Sequence, residues 1–518
     1  MTSPATTTDS ARSNVTFIRR TIVAIVFVML VSLGYPLVMS TTTVYRAELP
    51  TQEVTTLANN FKHELHFRIP VFLDIPNGLE HFISSAQSSV DEYLYAKHPE
   101  LKGFWGLDLQ RLQGEKNEEE DYILRFDIID KDANEDASES FFISPFSRAT
   151  TLGLTTSLIN ANKVDEFLRI ILLDEIFGQE IQQLSNLVLE APHPSLQTDV
   201  VIPYSPKYNV VFTLLTENGK TIEWDIEKAI DLFQPAFHKL QHFTNFSINT
   251  QIQYYSKPST EIAFNEEQNS YIITPESLST FINFGDWNLI THDILPTINF
   301  LVFFPESNYD GIKTIIDKSS TNSFLVPQWG GVKILNKDMP ILKDSTVSIH
   351  EDELLPIMEI FTSQLYQLLG APEAPKSPNI RVDILSRIAF VKNIGKSLET
   401  LKSLIKLTES LNEISVPETT KNYVNLSLDA IKKSFAYLNN EQNYGLAMSL
   451  SADALKFSDK AFFEKEMVQQ AYFPSEHKLA VFLPLLGPVG SIVFLGFLKV
   501  LLDRRKEKRD AVKREKTE

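Results

Sequence analysis

Apolar residues along this chain fall into three patterns, and each predicts a different element. Two long runs carry no charge: TIVAIVFVMLVSLGYPLVM from Thr21 to Met39, and LAVFLPLLGPVGSIVFLGFL from Leu479 to Leu498. Each has about the length that crosses a ~30 Å hydrocarbon layer as a helix, and internal glycine and proline do not bar that reading. Shorter runs rich in β-branched and aromatic residues predict strands from Phe67 to Leu73, in YILRFDII, in FSINTQIQYY (246–255), at 270–274 and in PTINFLVFF (296–304). Steps of three and four predict helices: one within 163–189, where Val164, Phe167, Ile171, Leu172 and Ile176 share a face, and one from Ile226 to about His242. Beyond Ile384 the helical period takes over. Stripes built on Leu398, Leu401, Ile405 and Leu404, Leu407, Leu411, then on Val424, Leu428, Ile431, Phe435, then on Ala447, Leu450, Ala454, Phe457, predict three successive amphipathic helices whose apolar faces form a core.

Two stretches carry sharper local signals. YNVVFTLLTENGKTIEWDI places two apolar runs around Asn218 and Gly219, and an Asn-Gly pair suits a tight hairpin turn, so residues 208–226 are expected to form a β-hairpin. SFLVPQWGGVKILN (323–336) has strand-like flanks interrupted by Pro327, Trp329, Gly330 and Gly331. Proline removes a ladder donor, and paired glycines mark a bulge or a backbone that another element approaches closely. Trp329 either covers that bare backbone or projects into a partner, where indoles are over-represented.

Charge gives the long runs a direction. Arg12, Arg19 and Arg20 precede the first, and Lys499, Arg504, Arg505, Lys506, Lys508 and Arg509 follow the second, so both chain ends are expected on the cytoplasmic side. Between them, residues 41–478 hold 36 Lys and Arg against 60 Asp and Glu, a net charge of -24. An acidic surface repels phosphate backbones, which argues against a nucleic-acid partner. A cleaved signal peptide is the rival reading of the first run, with Val38 and Ser40 as small residues at a cleavage site. A GPI-attachment signal is excluded for the second, because a basic tail follows it.

The expected architecture is therefore an α/β or α+β body (41–383) and a helical segment (384–478), flanked by transmembrane helices at 21–40 and 479–502. Short tails at 1–20 and 503–518 complete it. The acidic stretch 114–140 reads as solvated loops around one strand.

Chemistry-bearing motifs are sparse. The chain has no cysteine, which removes every thiol mechanism and every disulfide. HELH at 63–66 is one residue short of the His-Glu-x-x-His spacing that places two imidazoles one helical turn apart. GKT at 219–221 lacks the earlier glycine of a phosphate loop, and no Gly-x-Ser-x-Gly elbow occurs. No catalytic, cofactor or metal residue is assigned. N-glycosylation sequons stand at Asn14, Asn245 and Asn425, of which the latter two lie in the part expected to be translocated across the membrane.

Several separated patches resemble one family in the right order. They are LGYPLVMSTTTVYRAELP after the first run, WDIEKAI (224–230), FTNFSINTQIQYY, PTINFLVFFP (296–305), SFLVPQWGGVKILN, IMEIFTSQLYQLLG (357–370) and YFPSEHKLAVFLPLLGP entering the second run. The chain resembles the PIG-S family, a subunit of the GPI transamidase of the endoplasmic reticulum. That resemblance implies a two-pass membrane glycoprotein with a luminal body, without catalytic residues of its own. Its implied partners are the other transamidase subunits, including a caspase-like subunit that carries the nucleophilic cysteine, and the endoplasmic reticulum membrane. A free-standing luminal glycan- or lipid-binding protein, or a luminal hydrolase with an unrecognised carboxylate pair, are the competing readings.

Overall fold

A computed structural model describes residues 45–75, 80–129, 140–155, 163–189, 200–338, 347–411, 414–467 and 475–515, apart from short breaks within 242–294, together with much of 15–36. The chain divides into a larger unit (55–399 and 427–456) and a smaller one (1–54, 400–426 and 457–518).

The larger unit holds two five-stranded sheets. In the first, strands β1 (Phe67–Asp74), β2 (Trp105–Arg111), β3 (Tyr122–Ile129), β4 (Ser140–Ile143) and β5 (Ala149–Thr155) lie in the order β2-β1-β3-β5-β4. All neighbours are parallel except β4, which runs antiparallel to β5. Parallel neighbours require crossovers, and the helix between β1 and β2, α2 (Glu80–Lys97), supplies one. It follows α1 (Thr51–Glu64), and Gln87 fixes its register on β2, donating to the Leu107 carbonyl and accepting the Leu109 amide. Helices α3 (Val164–Ile170) and α4 (Gly178–Leu189) are joined by a π-helical turn at Ile171–Ile176, whose Ile171, Leu172, Leu173 and Ile176 are buried.

The second sheet has the order β13-β14-β11-β6-β8, built from β6 (Lys207–Thr216), β8 (Asn245–Gln253), β11 (Thr297–Phe304), β13 (Ser323–Val326) and β14 (Gly330–Ile334). Strands β6 and β11 are covered on both faces, which explains their near-continuous apolar sequences. On one face Phe212 and Phe300 pack against Phe233 and Phe237 of α5 (Ile226–Leu240) and Phe361 of α6 (Glu351–Leu369). On the other, Leu215, Leu301, Phe303, Val332 and Ile334 meet Phe281, Trp287 and Phe324. Short strands complete two further sheets, β7 (Ile222–Trp224) with β15 (Val347–Ile349), and β12 (Lys313–Ile316), β10 (Ser270–Ile273) and β9 (Ala263–Asn265).

The Asn218-Gly219 pair does not make the expected hairpin. Both neighbours of β6 are parallel strands, β11 and β8, so no edge is left for an antiparallel return, and β7 pairs with β15 instead. Neither Asn218 nor Gly219 takes a positive φ, so the primed turn that the pair favours is not formed.

Three helices follow α6, as the apolar stripes require: α7 (Pro378–Ser410), α8 (Glu418–Ala436) and α9 (Tyr444–Phe462). Their stripe residues Leu398, Leu401, Leu404, Val424, Leu428, Ile431, Phe435, Ala447 and Ala454 are buried. Small polar residues sit in the same seam, where the Ser427 hydroxyl donates to the Ala454 carbonyl and Asn393 Nδ2 to Ser451.

In the smaller unit, residues 45–47 run alongside Val416, with the Ala47 amide donating to the Val416 carbonyl and the Val416 amide to Tyr45. Helical residues 17–29 and the helix α10 (Ser475–Glu515) contact each other: Phe27 stacks on Phe497 at 4.0 Å, and Arg20 pairs with Glu507 at 2.7 Å. Position 20 therefore meets 507 while 27 meets 497, which makes the pair antiparallel. Among the described residues no helix is long and apolar enough to cross a membrane. Part of both apolar runs lies outside that description, including Leu30, Gly34, Tyr35 and 37–40 in the first and several side chains within 476–489 in the second.

Candidate functional site

A cavity of about 860 Å³ in the larger unit opens beside the first sheet. Its floor is apolar, with Phe67 and Ile69 from β1 and Phe390 from α7, and its walls are charged. Four elements meet there. Strand β3 begins with Tyr122, β5 is preceded by Arg148, α5 ends with His238 and Lys239, and the first turns of α7 bring Asp383 and Arg387.

A hydrogen-bonded ion network fixes one wall. Arg387 donates from Nε and Nη2 to the two carboxylate oxygens of Glu180 at 2.6 and 2.7 Å, and the Trp105 indole donates to the same carboxylate at 2.9 Å. Both ions are buried, at 5% and 0% side-chain exposure. Such a pair holds only when its remaining hydrogen-bonding positions are met, and here the indole meets one. The Tyr122 hydroxyl accepts from Arg387 at 3.4 Å and donates to Asp383 at 2.8 Å, and Arg148 clasps Asp383 through Nε and Nη2 at 2.5 and 2.6 Å. Burial works against a charged Arg387, but the adjacent Glu180 carboxylate outweighs it and holds the guanidinium well above its ordinary value. Burial, reinforced by Asp383, pushes the Tyr122 phenol far up, so it stays a neutral bridge.

Lys239 differs from these groups. It is half-buried in the cavity wall, and among the described residues no carboxylate forms an ion pair with it. Burial lowers its ammonium pKa; Glu119 opposes that shift and Arg148 adds to it. At the mouth stand the exposed carboxylates Glu119, Glu120 and Glu441. The acidic stretch expected as solvated loop thus lends two residues to the rim. No cysteine, and among the described residues no metal-holding group of His, Asp and Glu, supplies a nucleophile or Lewis acid at this site.

A family model described as "PIG-S: Phosphatidylinositol-glycan biosynthesis class S protein" matches residues 25–507. The chain belongs to the PIG-S family. It is similar to the "GPI transamidase component GPI17" of Saccharomyces cerevisiae, 31% identical over 513 residues that cover 93% of this chain and 92% of that protein. It is also similar to proteins named "GPI-anchor transamidase component PIGS", 29% identical in Bos taurus over 58% of each chain, and 29% identical in Homo sapiens over 60% of this chain and 59% of the relative.

The PIG-S patches read from the sequence fall on the second sheet more than on the cleft. In SFLVPQWGGVKILN the interruption is a turn, because β13 and β14 pair antiparallel and Val326 faces Gly330 across a three-residue loop. Gln328 takes φ 56, and the Trp329 amide closes the loop on the Val326 carbonyl at 3.2 Å. The glycines are needed for close approach. A Cβ on Gly330 would lie 1.8 Å from the Asn299 carbonyl oxygen of neighbouring β11, and one on Gly331 would lie 1.9 Å from Gln364 Oε1. Trp329 itself is half-buried against the apolar cluster on that face of the sheet.

The other singled-out residues are dispersed. Asn245 is exposed at the start of edge strand β8, Asn425 is exposed in the middle of α8, and Asn14 lies outside the described residues. In HELH, α1 ends at Glu64, and His66 Nδ1 lies 2.5 Å from the Gly103 carbonyl. Lys220 of GKT sits over the Tyr309 ring at 3.7 Å. Sequence reasoning missed the cleft. Its traces were Glu180 beside Ile181 and Leu184, and Arg387 between Ile384 and Ile388, charges standing within apolar helical stripes.

Proposed function

We propose that this chain is a non-catalytic subunit of the GPI transamidase, the complex that replaces a proprotein's C-terminal signal with a preassembled GPI anchor. Family membership across residues 25–507, with relatives named as transamidase components, is the observation that carries this reading. The chemistry agrees with it. A thiolate mechanism needs a cysteine and this chain has none, so in this reading the nucleophile comes from a caspase-like partner.

The proposed topology has two spans in the endoplasmic reticulum membrane, both tails cytoplasmic and residues 41–478 luminal, with Asn245 and Asn425 as accessible sequons. Three features support it. Arginine and lysine flank both apolar runs on their outer sides. The two helical segments are antiparallel, which sets Arg20 and Glu507 at the same end of the pair. Ile22, Ile25, Val28, Met29, Ile492, Phe494 and Leu495 are exposed, as lipid-facing residues would be. The free-standing glycan-binding protein and the luminal hydrolase have no comparable support.

The function is tested by purifying the chain alone and by replacing it in cells. Alone it should leave a GPI-signal peptide intact, while its depletion should lower GPI attachment and re-expression should restore it. Cleavage by the isolated chain would overturn the reading.

A further inference from the structure

The charges that follow the second apolar run are sorted onto two sides of one helix. Helix α10 continues past Leu502 without a break, and Asp503 and Glu507 stand one turn apart on it. Arg20 of the other helical segment engages both carboxylates, Glu507 at 2.7 Å and Asp503 at 4.0 Å. At about 100° per residue, Arg505, Lys508 and Arg509 fall on the opposite side of the helix, with Arg504 and Lys506 at its two borders. All five are exposed. Arg504 adds a weaker attraction to Glu507. Arg505, Lys506, Lys508 and Arg509 have no ion-paired carboxylate among the described residues. Two observations fix their level. Leu501 and Leu502, 44% and 60% exposed, end the apolar stretch that precedes the charges. Arg20, the residue just outside the first apolar run, meets Glu507, so both helices leave their apolar stretches at the same level.

We infer that this face of α10 docks on anionic phospholipid headgroups of the cytoplasmic leaflet. The inference rests on the two-span topology proposed above, which sets the depth. At 1.5 Å per residue, positions 505 to 509 lie roughly 4 to 11 Å beyond Leu502. The headgroup layer is about 5 to 7 Å deep on each side of a ~30 Å core, and the long stems of lysine and arginine bend back toward it. The unpaired cations therefore stand at headgroup level. Sign and arrangement select the lipid. Residues 503–509 hold five basic and two acidic side chains, but both acids are turned to Arg20, so the side left for lipid is wholly cationic. An anionic headgroup complements that side, whereas a zwitterionic one brings an ammonium of its own. Because the cations are exposed, salt should screen the attraction.

The chain has no cysteine, so Ala511→Cys supplies a single site for a fluorophore at the end of this face. The labelled full-length chain, reconstituted in phosphatidylcholine bilayers, is titrated with phosphatidylserine or phosphatidylcholine carrying the same acyl-chain spin label. Quenching by the labelled phosphatidylserine should exceed that by the labelled phosphatidylcholine about threefold or more, and the difference should fade as sodium chloride is raised. Joint replacement of Arg505, Lys506, Lys508 and Arg509 by glutamine should bring the two lipids to equal quenching. Arg505→Lys with Arg509→Lys should keep the preference, and Lys406→Gln on α7 should leave it unchanged. Equal quenching by both lipids in the parent overturns the inference, as does a preference that survives the joint replacement. A preference abolished by inorganic phosphate but not by chloride of equal ionic strength points to free phosphate as the ligand and overturns it too. Protease access to a C-terminal tag in sealed microsomes separates the inference from the topology it rests on. A protected tag removes the two-span reading and the cytoplasmic leaflet with it, whereas an accessible tag with equal quenching overturns the lipid contact alone.

Discussion

The two five-stranded sheets of the larger unit are held by different physics. Around the second sheet the packing is aromatic and dry: Phe212, Phe233, Phe300 and Phe361 stand 4.8 to 6.3 Å apart in one cluster, fully buried between strands and helices. Beside the first sheet, charge occupies positions that would otherwise be core, and it is satisfied atom by atom from Trp105 through Glu180, Arg387, Tyr122 and Asp383 to Arg148. An apolar cluster tolerates changes in shape and loses stability in proportion to the volume removed. A buried network is less forgiving, because a missing member leaves its partner charged and desolvated. The contrast teaches where to look for function. The dry sheet closes on itself, and the charged wall faces an open cavity.

Removing one ion should expose this difference most strongly. Arg387→Ala leaves Glu180 buried without its guanidinium and is expected to cost about 3–5 kcal/mol in denaturant unfolding. Pairing it with Glu180→Leu should recover most of that loss, although the Trp105 indole then lacks its acceptor. Failure of the double variant to recover would place the cost in packing and weaken the distinction between the two sheets.

Trp329 probes the dry side. Because the indole is only half-buried, Trp329→Ala should cost roughly 1–2 kcal/mol, less than the ~3–5 kcal/mol of a fully buried aromatic. A lower melting temperature with unchanged co-purification identifies a residue that serves the fold, and unchanged melting with lost co-purification identifies an anchor for a partner. Neither effect would defeat both roles.

The smallest expected effect lies at the carboxyl ends of β6 and β11. Glu217 accepts the Glu306 amide at 2.6 Å, and burial raises its carboxyl pKa above the ordinary value, with the Glu306 charge adding to burial and the hydrogen bond opposing it. A raised folded-state pKa gives stability that is fully present below the unfolded value, about 4.3, and is lost as pH rises through the folded value. Glu217→Gln keeps an acceptor for the amide without the buried charge. Its melting temperature should therefore exceed the parent's at pH 7, and the advantage should shrink as the medium is acidified through the raised folded-state value and be gone below about pH 4. A pH-independent difference would contradict the assignment.

Much of this architecture could be read from residue patterns because each pattern has one local cause. Strands β6 and β11 are buried on both faces and so are written as unbroken apolar runs, and α7 to α9 repeat their stripes at helical spacing. The Asn-Gly turn was misleading for a non-local reason. Strand partners are chosen by the whole sheet, and β6 had both edges taken by parallel neighbours. The WGG stretch was legible in kind, since a glycine pair signals close backbone approach. What approaches, Asn299 and Gln364, comes from elsewhere in the chain. The cleft was hidden for the same reason. Tyr122, Arg148, Lys239, Asp383 and Arg387 are ordinary residues in their own segments, and only the fold assembles them.

The claim that this chain serves as a subunit is tested most directly by purifying it under native conditions from detergent-solubilised membranes and identifying what accompanies it by mass spectrometry. A caspase-like subunit should be recovered with it in near-stoichiometric amount. Recovery of the intact chain without that subunit, under conditions where the transamidase itself survives solubilisation, would contradict the account.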